Sequence, residues 1–444
     1  MTRHRTATDR VWILWIVWTT YHAPYFLGTP VYDPPDTASY ERIADILVGK
    51  EPFPDEPFYF PPGYSFVLAL LRSLFGSSAP WAVTVIQHVA ILAMGLMLFD
   101  VARRRGYPRI GFAAGLLVTL NPALLFWTHV MYTEILTSFA LVSILWCLQR
   151  TTDAPRYQIG WLVGASGFIC WAGLMRQVPY LLAIPAGLYA QALYRNRGAV
   201  ARVTVLLLPM SIALATFASW SAFVWRQCDH FQHTSGGGRH LYNRVVFTDR
   251  TIARDGAATR RLLATVSETE ALQPHWDVYE LLRARGFSSE DANDLMTRVG
   301  LESVMDRPLK YAFGTGQLFL RYWFVEPDRL TESVRCAAIL PRLGELLKPI
   351  VTLLVYCTGQ QVVGALALVA AACAVFAGPS FLRLTVALVA LYLLPHAAGE
   401  WASLRFGIPI YPLTAFLAPW GVLVAGRWLA LGEPDRDADL FRQV

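Results

Sequence analysis

Charge is scarce in this chain of 444 residues: 16% are Asp, Glu, Lys or Arg, while 55% are hydrophobic. Lysine is nearly missing, supplying only Lys50, Lys310 and Lys348 among 38 basic residues. Codon bias accounts for that shortage, and guanidinium also suits phosphate ligands. So little charge, with a mean hydropathy of +0.39, excludes a disordered chain and a soluble nucleic-acid binder. Six cysteines in a chain this long exclude a disulfide scaffold. No internal repeat is evident, and neither half mirrors the other as in inverted-repeat transporters. A nucleotide-binding strand–turn–helix loop is missing too, because the glycine run Ser235-Gly236-Gly237-Gly238 lacks that context and reads as a hinge.

What the chain has in excess is apolar surface, including 15 Trp. A soluble protein of this size has too little interior to hide it, so lipid is the solvent for much of the molecule. Met1 to Arg10 is basic and precedes an apolar run, Val11 to Leu27, with no small-residue cleavage site, which reads as a retained first span. Further apolar segments lie near 81–101, 110–128, 135–149, 158–175, 179–194, 202–224, 349–376, 380–397 and 407–427. The predicted fold class is therefore an all-α polytopic membrane protein with about ten transmembrane helices. Arg103, Arg104, Arg105, Arg109, Arg150, Arg156, Arg195, Arg197, Arg202 and Arg427 then share the side of the N-terminus. The positive-inside bias puts that side, and both termini, in the cytoplasm of a multi-pass inner-membrane protein.

The chain divides into an N-terminal membrane module (1–224) with a first outer loop at 28–80, an outer segment (225–348), and a C-terminal membrane module with a short tail (349–444). Long segments of this kind are usually functional. The outer segment reads as mostly helical, with Ser288-Ser289-Glu290 capping a helix through Met305. Leu309 to Phe324 then returns toward the bilayer, placed to cover a site and meet an acceptor.

The first outer loop is the most informative stretch. Pro34-Pro35 ends any preceding helix, and Asp36 stands where an N-cap belongs, before a surface helix whose apolar face is Tyr40, Ile43, Ala44 and Leu47. Gly49 ends that helix. A helix cap is one account of Asp36 and a reactive carboxylate is another, whereas Asp33, beside two prolines, reads as a solvated acid.

Asp36 followed by Tyr40, then Gly49, Pro61-Pro62-Gly63-Tyr64 and Leu74-Phe75-Gly76, resembles the GT-C superfamily. The likeness is strongest to polyprenyl-phosphate-sugar-dependent glycosyltransferases, the protein O-mannosyltransferases and aminoarabinose transferases. It continues through Asn121-Pro122, Tyr132-Thr133-Glu134, Arg176, Glu400, Arg405-Phe406 and Pro409. Where aminoarabinose transferases carry a lysine before the Pro-Pro pair this chain has Phe60, and Thr37 replaces the second acid of the mannosyltransferase pair. The resemblance implies a GT-C-like fold, Asp36 as the catalytic carboxylate and Glu134 as a second acid on the next outer loop.

Sugar transfer from a lipid phosphate needs a base for the acceptor hydroxyl, cations for the departing phosphate and a groove for the lipid. Asp36 fits the first need, with inversion if the acceptor attacks directly. Glu134 would tune it or position the acceptor, and is equally the kind of acid that a helix N-terminus favours. Arg176 and Arg405 fall on the outer side, against the bias of the other short-loop arginines, where an anionic lipid phosphate or headgroup snorkelling accounts for them. Tyr40, Tyr64, His129 and Glu400 are candidate substrate-binding residues. The implied partners are a polyprenyl-phosphate sugar donor, a lipid, glycan or protein acceptor and membrane lipids, with no nucleic acid.

His22 and His129 sit at the membrane edge and equally suit hydrogen-bonded structural roles. Cys228, His230, His233 and His240 match no metal template, so no cofactor and no essential metal are expected. Cys228 and Cys336 share the outer segment, where an oxidising compartment permits a disulfide, while Cys147, Cys170, Cys357 and Cys373 lie in apolar spans. A transporter, a lipid flippase and a non-catalytic envelope assembly protein are the competing readings. A transporter puts ionisable residues near the bilayer midplane, whereas the acids here cluster at one face.

Overall fold

A chain that hides its backbone amides from lipid must choose between helices and a closed barrel. In the computed structural model, residues 2–54, 57–153, 155–324, 360–399 and 404–430 are described. Among them there is no sheet, only an isolated parallel bridge between Tyr32 and Val130. The first half runs through α1 (Thr2–Gly28), α2 (Pro35–Leu47), α3 (Gly63–Phe75), α4 (Ala79–Arg104), α5 (Pro108–Thr119) and α6 (Pro122–Trp127). It continues with α7 (Glu134–Asp153), α8 (Gln158–Met175), α9 (Ala183–Leu193) and α10 (Ala199–Cys228). A run of shorter helices follows: α11 (Gly237–Tyr242), α12 (Ala257–Thr265), α13 (Glu268–Ala271), α14 (His275–Ala284), α15 (Ser289–Asp306) and α16 (Pro308–Arg321). The last described elements are α17 (Gln360–Ala377), α18 (Ser380–Gly399), a tight turn of helix at Leu404–Ile410, and α19 (Tyr411–Ala430).

Among the described residues, six stretches are long and apolar enough to cross a membrane: Gly63–Arg104, Glu134–Asp153, Gln158–Met175, Ala199–Cys228, Ser380–Gly399 and Arg405–Gly426. Three shorter apolar helices (Pro108–Thr119, Val178–Leu193, Gln361–Phe376) sit beside them. α1 has the length of a span, but its Trp, Tyr, His and Pro residues dilute its hydropathy. Its Trp12 and Ile16 nevertheless stay more than 60% exposed, an outward face suited to lipid. The first part of the expected span at 349–376, Cys336 and Cys357 lie outside the described residues.

Side chains of α4, α5, α7, α8, α17, α18 and α19 build one continuous apolar core. The segment between α10 and α17 has its own core, in which Tyr242, Leu262, Val278, Leu282, Met296 and Val299 pack together. Arg244, wholly buried, ties this segment to the bundle by donating from Nε to the Ala397 carbonyl at 2.9 Å while pairing with Asp249. Ser288 caps α15 as its sequence predicts, accepting from Asp291 N at 3.0 Å. Two glycines of the expected hinge, Gly237 and Gly238, instead form the first turn of α11: a Cβ on Gly238 would collide with Thr297, so that glycine lets α11 press against α15.

Gly63 does the same at a more consequential place. A Cβ there would stand 2.6 Å from the Leu174 carbonyl oxygen, because the first turn of α3 abuts the last turn of α8, one residue pair before Arg176. Gly63→Ala is therefore expected to destabilise the protein by about 1–3 kcal/mol, since backbone cannot yield as a side chain does. Gly160→Ala, with nothing within 4 Å of the new methyl, should be neutral or better. Thermal unfolding of the two variants in detergent checks the contrast.

Candidate active site

Proline decides where α2 begins. Pro35 is tolerated at the first helical position, where a missing N–H costs nothing, so Pro34 becomes the N-cap and Asp36 enters the first turn. Asp36 thus makes no cap hydrogen bond, contrary to its expected place at the helix start, and its carboxylate is released for another partner. At the other end, Gly49 N to Ile46 O at 3.0 Å and Lys50 N to Asp45 O at 2.9 Å close the helix at the predicted glycine. The predicted apolar face is shut against protein: Tyr40 and Ala44 against Tyr64, Leu68 and Tyr132, and Ile43 against Phe58 and Trp220. On the polar side, Arg72 of α3 pairs with Glu41 and with Asp45 at 3.1 Å. α2 is consequently held on both faces.

The partner of Asp36 is Arg405, whose Nη1 lies 2.9 Å from Oδ2. Beside them Arg176 donates from Nη2 to Glu134 Oε1 at 2.6 Å and from Nε to Thr133 Oγ1 at 3.1 Å. The two guanidiniums lie over one ring, Phe406, at 5.2 Å for Arg176 and 5.6 Å for Arg405, and Arg405 also lies 5.1 Å from the Tyr132 ring centre. The Glu134 side chain is 1% exposed and Arg176 12%, against 24% for Arg405 and 29% for Asp36. Buried charge is tolerated only when paired, and here two cations and two carboxylates cancel. Glu134 Oε2 and Arg405 Nε have no hydrogen-bond partner among the described residues, so the cancellation leaves donor and acceptor capacity unused.

Tyrosines line this cluster. Burial, then the Glu134 carboxylate, pushes the Tyr40 hydroxyl above its usual range, and burial, then Asp36, does the same to Tyr132. Both therefore stay protonated near neutral pH. Burial alone would disfavour the Arg176 charge, but Tyr392 and Glu134 outweigh it and raise its pKa. Tyr64, fully buried, stands edge-on to Tyr40 at 5.2 Å. Tyr322, which follows α16, reaches Phe406 at 6.2 Å, so the segment expected to return over the site does touch its platform.

Of the candidate residues named from sequence, Asp36, Glu134, Arg176, Arg405 and Tyr40 are thus brought together, with Tyr64 behind them. Glu400 lies outside the described residues. Asp33 is exposed. The His129 ring belongs to a separate buried row, with His88 Nε2 3.1 Å from His129 Nε2 and His88 Nδ1 2.8 Å from His22 Nδ1. His233 stacks on Phe217, His240 packs against Tyr59 and His275, and no three metal-ligating side chains converge among the described residues. Phe406 and Tyr132 belong to the sequence motifs but not to the expected site residues; an aromatic directly after Arg405 and another two residues before Glu134 were the available signal.

The main chain of His129 does reach the site. Its carbonyl accepts from Tyr32 N at 2.8 Å, Met131 N donates to Tyr32 O at 3.2 Å, and Thr37 Oγ1 donates to Met131 O at 3.2 Å. These bonds stitch the Asp36 loop to the Glu134 loop, and the His129 ring adds a contact from Nδ1 to Pro30 O at 3.2 Å.

Residues 59–223 match the family model of dolichyl-phosphate-mannose-protein mannosyltransferase. The likeness to polyprenyl-phosphate-sugar-dependent glycosyltransferases thus holds over the stretch carrying Gly63, Glu134 and Arg176, with Asp36 and Arg405 outside it. Among solved structures, ArnT from Cupriavidus metallidurans bound to undecaprenyl phosphate is 13% identical, over 95% of this chain and 77% of that one, with a TM-score of 0.40. The archaeal oligosaccharyltransferase AglB from Archaeoglobus fulgidus, with an inhibitory peptide and a dolichol-phosphate, is 10% identical over 99% of this chain and 54% of its own, TM-score 0.46. The apo form of the Archaeoglobus fulgidus oligosaccharyltransferase gives 13% identity, 98% and 53% coverage and a TM-score of 0.48. The chain spans about half the length of that oligosaccharyltransferase. No curated protein matches the sequence.

Burial pushes the His129 imidazole down to about 4, only partly offset by the carbonyls of Pro30 and Thr29. An unfolded chain would take up that proton near pH 6.5. Between those values the unfolded state binds more protons, so stability should fall as the pH drops below about 6.5, by up to about 1.4 kcal/mol per pH unit. Melting temperatures measured from pH 7.5 to 4.5 should show a shallower acid slope for His129→Gln than for the unaltered protein.

Proposed function

We propose that this chain is a membrane glycosyltransferase that draws its sugar from a polyprenyl-phosphate donor and passes it to an envelope acceptor. The observation that carries the reading is the meeting of Asp36 and Arg405, 369 residues apart in sequence, at 2.9 Å beside the Arg176–Glu134 pair. Each group comes from the end of an element: the first turn of α2, the start of α7, the residue after α8, and the turn before α19. Charges gathered at helix ends suit chemistry at a membrane surface, whereas a transporter would need them along its path. The family match over residues 59–223 supports a lipid-phosphate donor.

In this reading Asp36 takes the proton from the acceptor hydroxyl as its oxygen attacks the anomeric carbon. The bond from that carbon to the phosphate oxygen breaks, and the polyprenyl phosphate leaves with the electron pair. Direct attack inverts the anomeric centre. Arg405, with Arg176 beside it, holds the departing phosphate through charge-assisted hydrogen bonds. Glu134, deeply buried, keeps Arg176 oriented, and the Tyr132 ring supports the Arg405 guanidinium. The site faces the outer side of the inner membrane, with both termini cytoplasmic, because the short-loop arginines gather on the opposite side. The two membrane modules and the 225–348 segment between them then have distinct tasks, the segment serving acceptor choice.

Loss of a positioned base usually costs about 10²–10⁴ in rate, so Asp36→Asn should lose transfer by that order while expressing normally. Sugar transfer in membranes from a radiolabelled polyprenyl-phosphate sugar measures it, and full activity would remove Asp36 from the chemistry. Arg405→Ala should raise the apparent KM for donor roughly 10- to 100-fold, the worth of a charge-assisted hydrogen bond. An unchanged donor KM would end its assignment to the phosphate.

A further inference from the structure

The pairing of Asp36 with Arg405 poses a difficulty for the reading just given, on which this inference rests. A carboxylate gripped by a guanidinium is a poor base, and a guanidinium neutralised by a carboxylate is a poor phosphate ligand. Both groups are engaged with each other at 2.9 Å. We propose that Asp36 occupies the place of the donor phosphate on Arg405 in the resting protein, and that the arriving phosphate displaces it, freeing the base only once a donor is bound.

The geometry selects which pair opens. Arg176 holds Glu134 through a second anchor on Thr133 Oγ1 at 3.1 Å, and the Glu134 carboxylate is 1% exposed, so parting them would strand a charge away from water. The Asp36–Arg405 pair has a single contact between 29% and 24% exposed side chains, and water reaches both. Arg405 also has an unused donor: its Nε meets no acceptor among the described residues, while the Phe406 and Tyr132 rings fix the plane of its guanidinium. A phosphate presents more oxygens and more negative charge than a carboxylate, so it competes with Asp36 for the same edge of the guanidinium. Charge counting agrees. The four groups sum to zero, so an added phosphate makes the cluster net negative unless one carboxylate moves away from its cation.

Two consequences follow. Donor binds before acceptor, because the base is masked until then. And Asp36, though needed for transfer, opposes donor binding, so removing its charge should tighten the lipid phosphate.

The test is equilibrium binding of a short-chain polyprenyl monophosphate, without sugar, to the full-length protein in detergent, for the unaltered chain, Asp36→Asn, Asp36→Ala, Asp36→Glu and Arg405→Ala. Asp36→Asn and Asp36→Ala are expected to bind about 5- to 20-fold tighter, Asp36→Glu within about twofold of the unaltered chain, and Arg405→Ala at least about tenfold weaker. The Asp36→Asn/Arg405→Ala double variant should fall back to the Arg405→Ala level, since the gain acts through Arg405. Unchanged or weakened binding in both neutral Asp36 variants, with Arg405→Ala still weakened, overturns the exchange and leaves Arg405 as a phosphate ligand. Undiminished binding by Arg405→Ala overturns the phosphate reading itself. Thermal melting of each variant identifies any that has failed to fold, and the use of two neutral replacements at Asp36 keeps the comparison available.

Discussion

Two guanidiniums resting on one phenyl ring govern the rest of this structure. Like charges so close, in surroundings of low polarity, repel unless anions are interleaved with them. Asp36 and Glu134 do this, and each must be carried there by its own piece of fold. The Schellman closure of α2, its clamp by Arg72, the close seating of α3 on α8 through Gly63 and the seam between the loops at Tyr32 and Val130 all act to deliver these carboxylates. Phe406 is the common floor, and its 3% exposure shows how completely the protein encloses it.

Much of this was legible beforehand, where the controlling physics is local. Three- and four-residue spacing marked the buried face of α2, a glycine marked its end, and Ser288 marked the start of α15. Apolar runs located the helices of the bundle. Where local rules compete, the reading slipped. Pro-Pro before Asp36 signals both the end of one element and an acceptable first turn of the next, and the second meaning prevailed, moving Asp36 from cap to helix. The glycines near 236–238 were legible as flexible residues but not as room for a neighbouring helix, because Thr297 is 59 residues away in the chain.

The pairings themselves carried no signal in spacing. Arg405 was singled out for standing against the charge bias, and Arg176 for the same reason, yet nothing in the sequence indicated which acid each would meet. Such contacts depend on how α8 and the 404–410 turn are set beside α7, and that is fixed by the apolar core they share. The histidines show the opposite limit. His22 and His129 were each legible as hydrogen-bonded residues at the membrane edge, but nothing indicated that His88, inside an apolar run, would join them in a single buried row.

The seam at Tyr32 and Val130 has a mechanical corollary. Because the main chains bearing the two acids are laced together through His129, Met131 and Thr37, a push on one is felt by the other. The turn that bears Arg405 has no share in that lacing among the described bonds, and it reaches Asp36 by a side-chain contact alone. That turn is tied instead to α7, where Ser138 Oγ donates to the Ile408 carbonyl at 3.4 Å, so whatever room a bulky sugar and its carrier require falls to the Arg405 and Asp36 side chains rather than to a parting of the main chains.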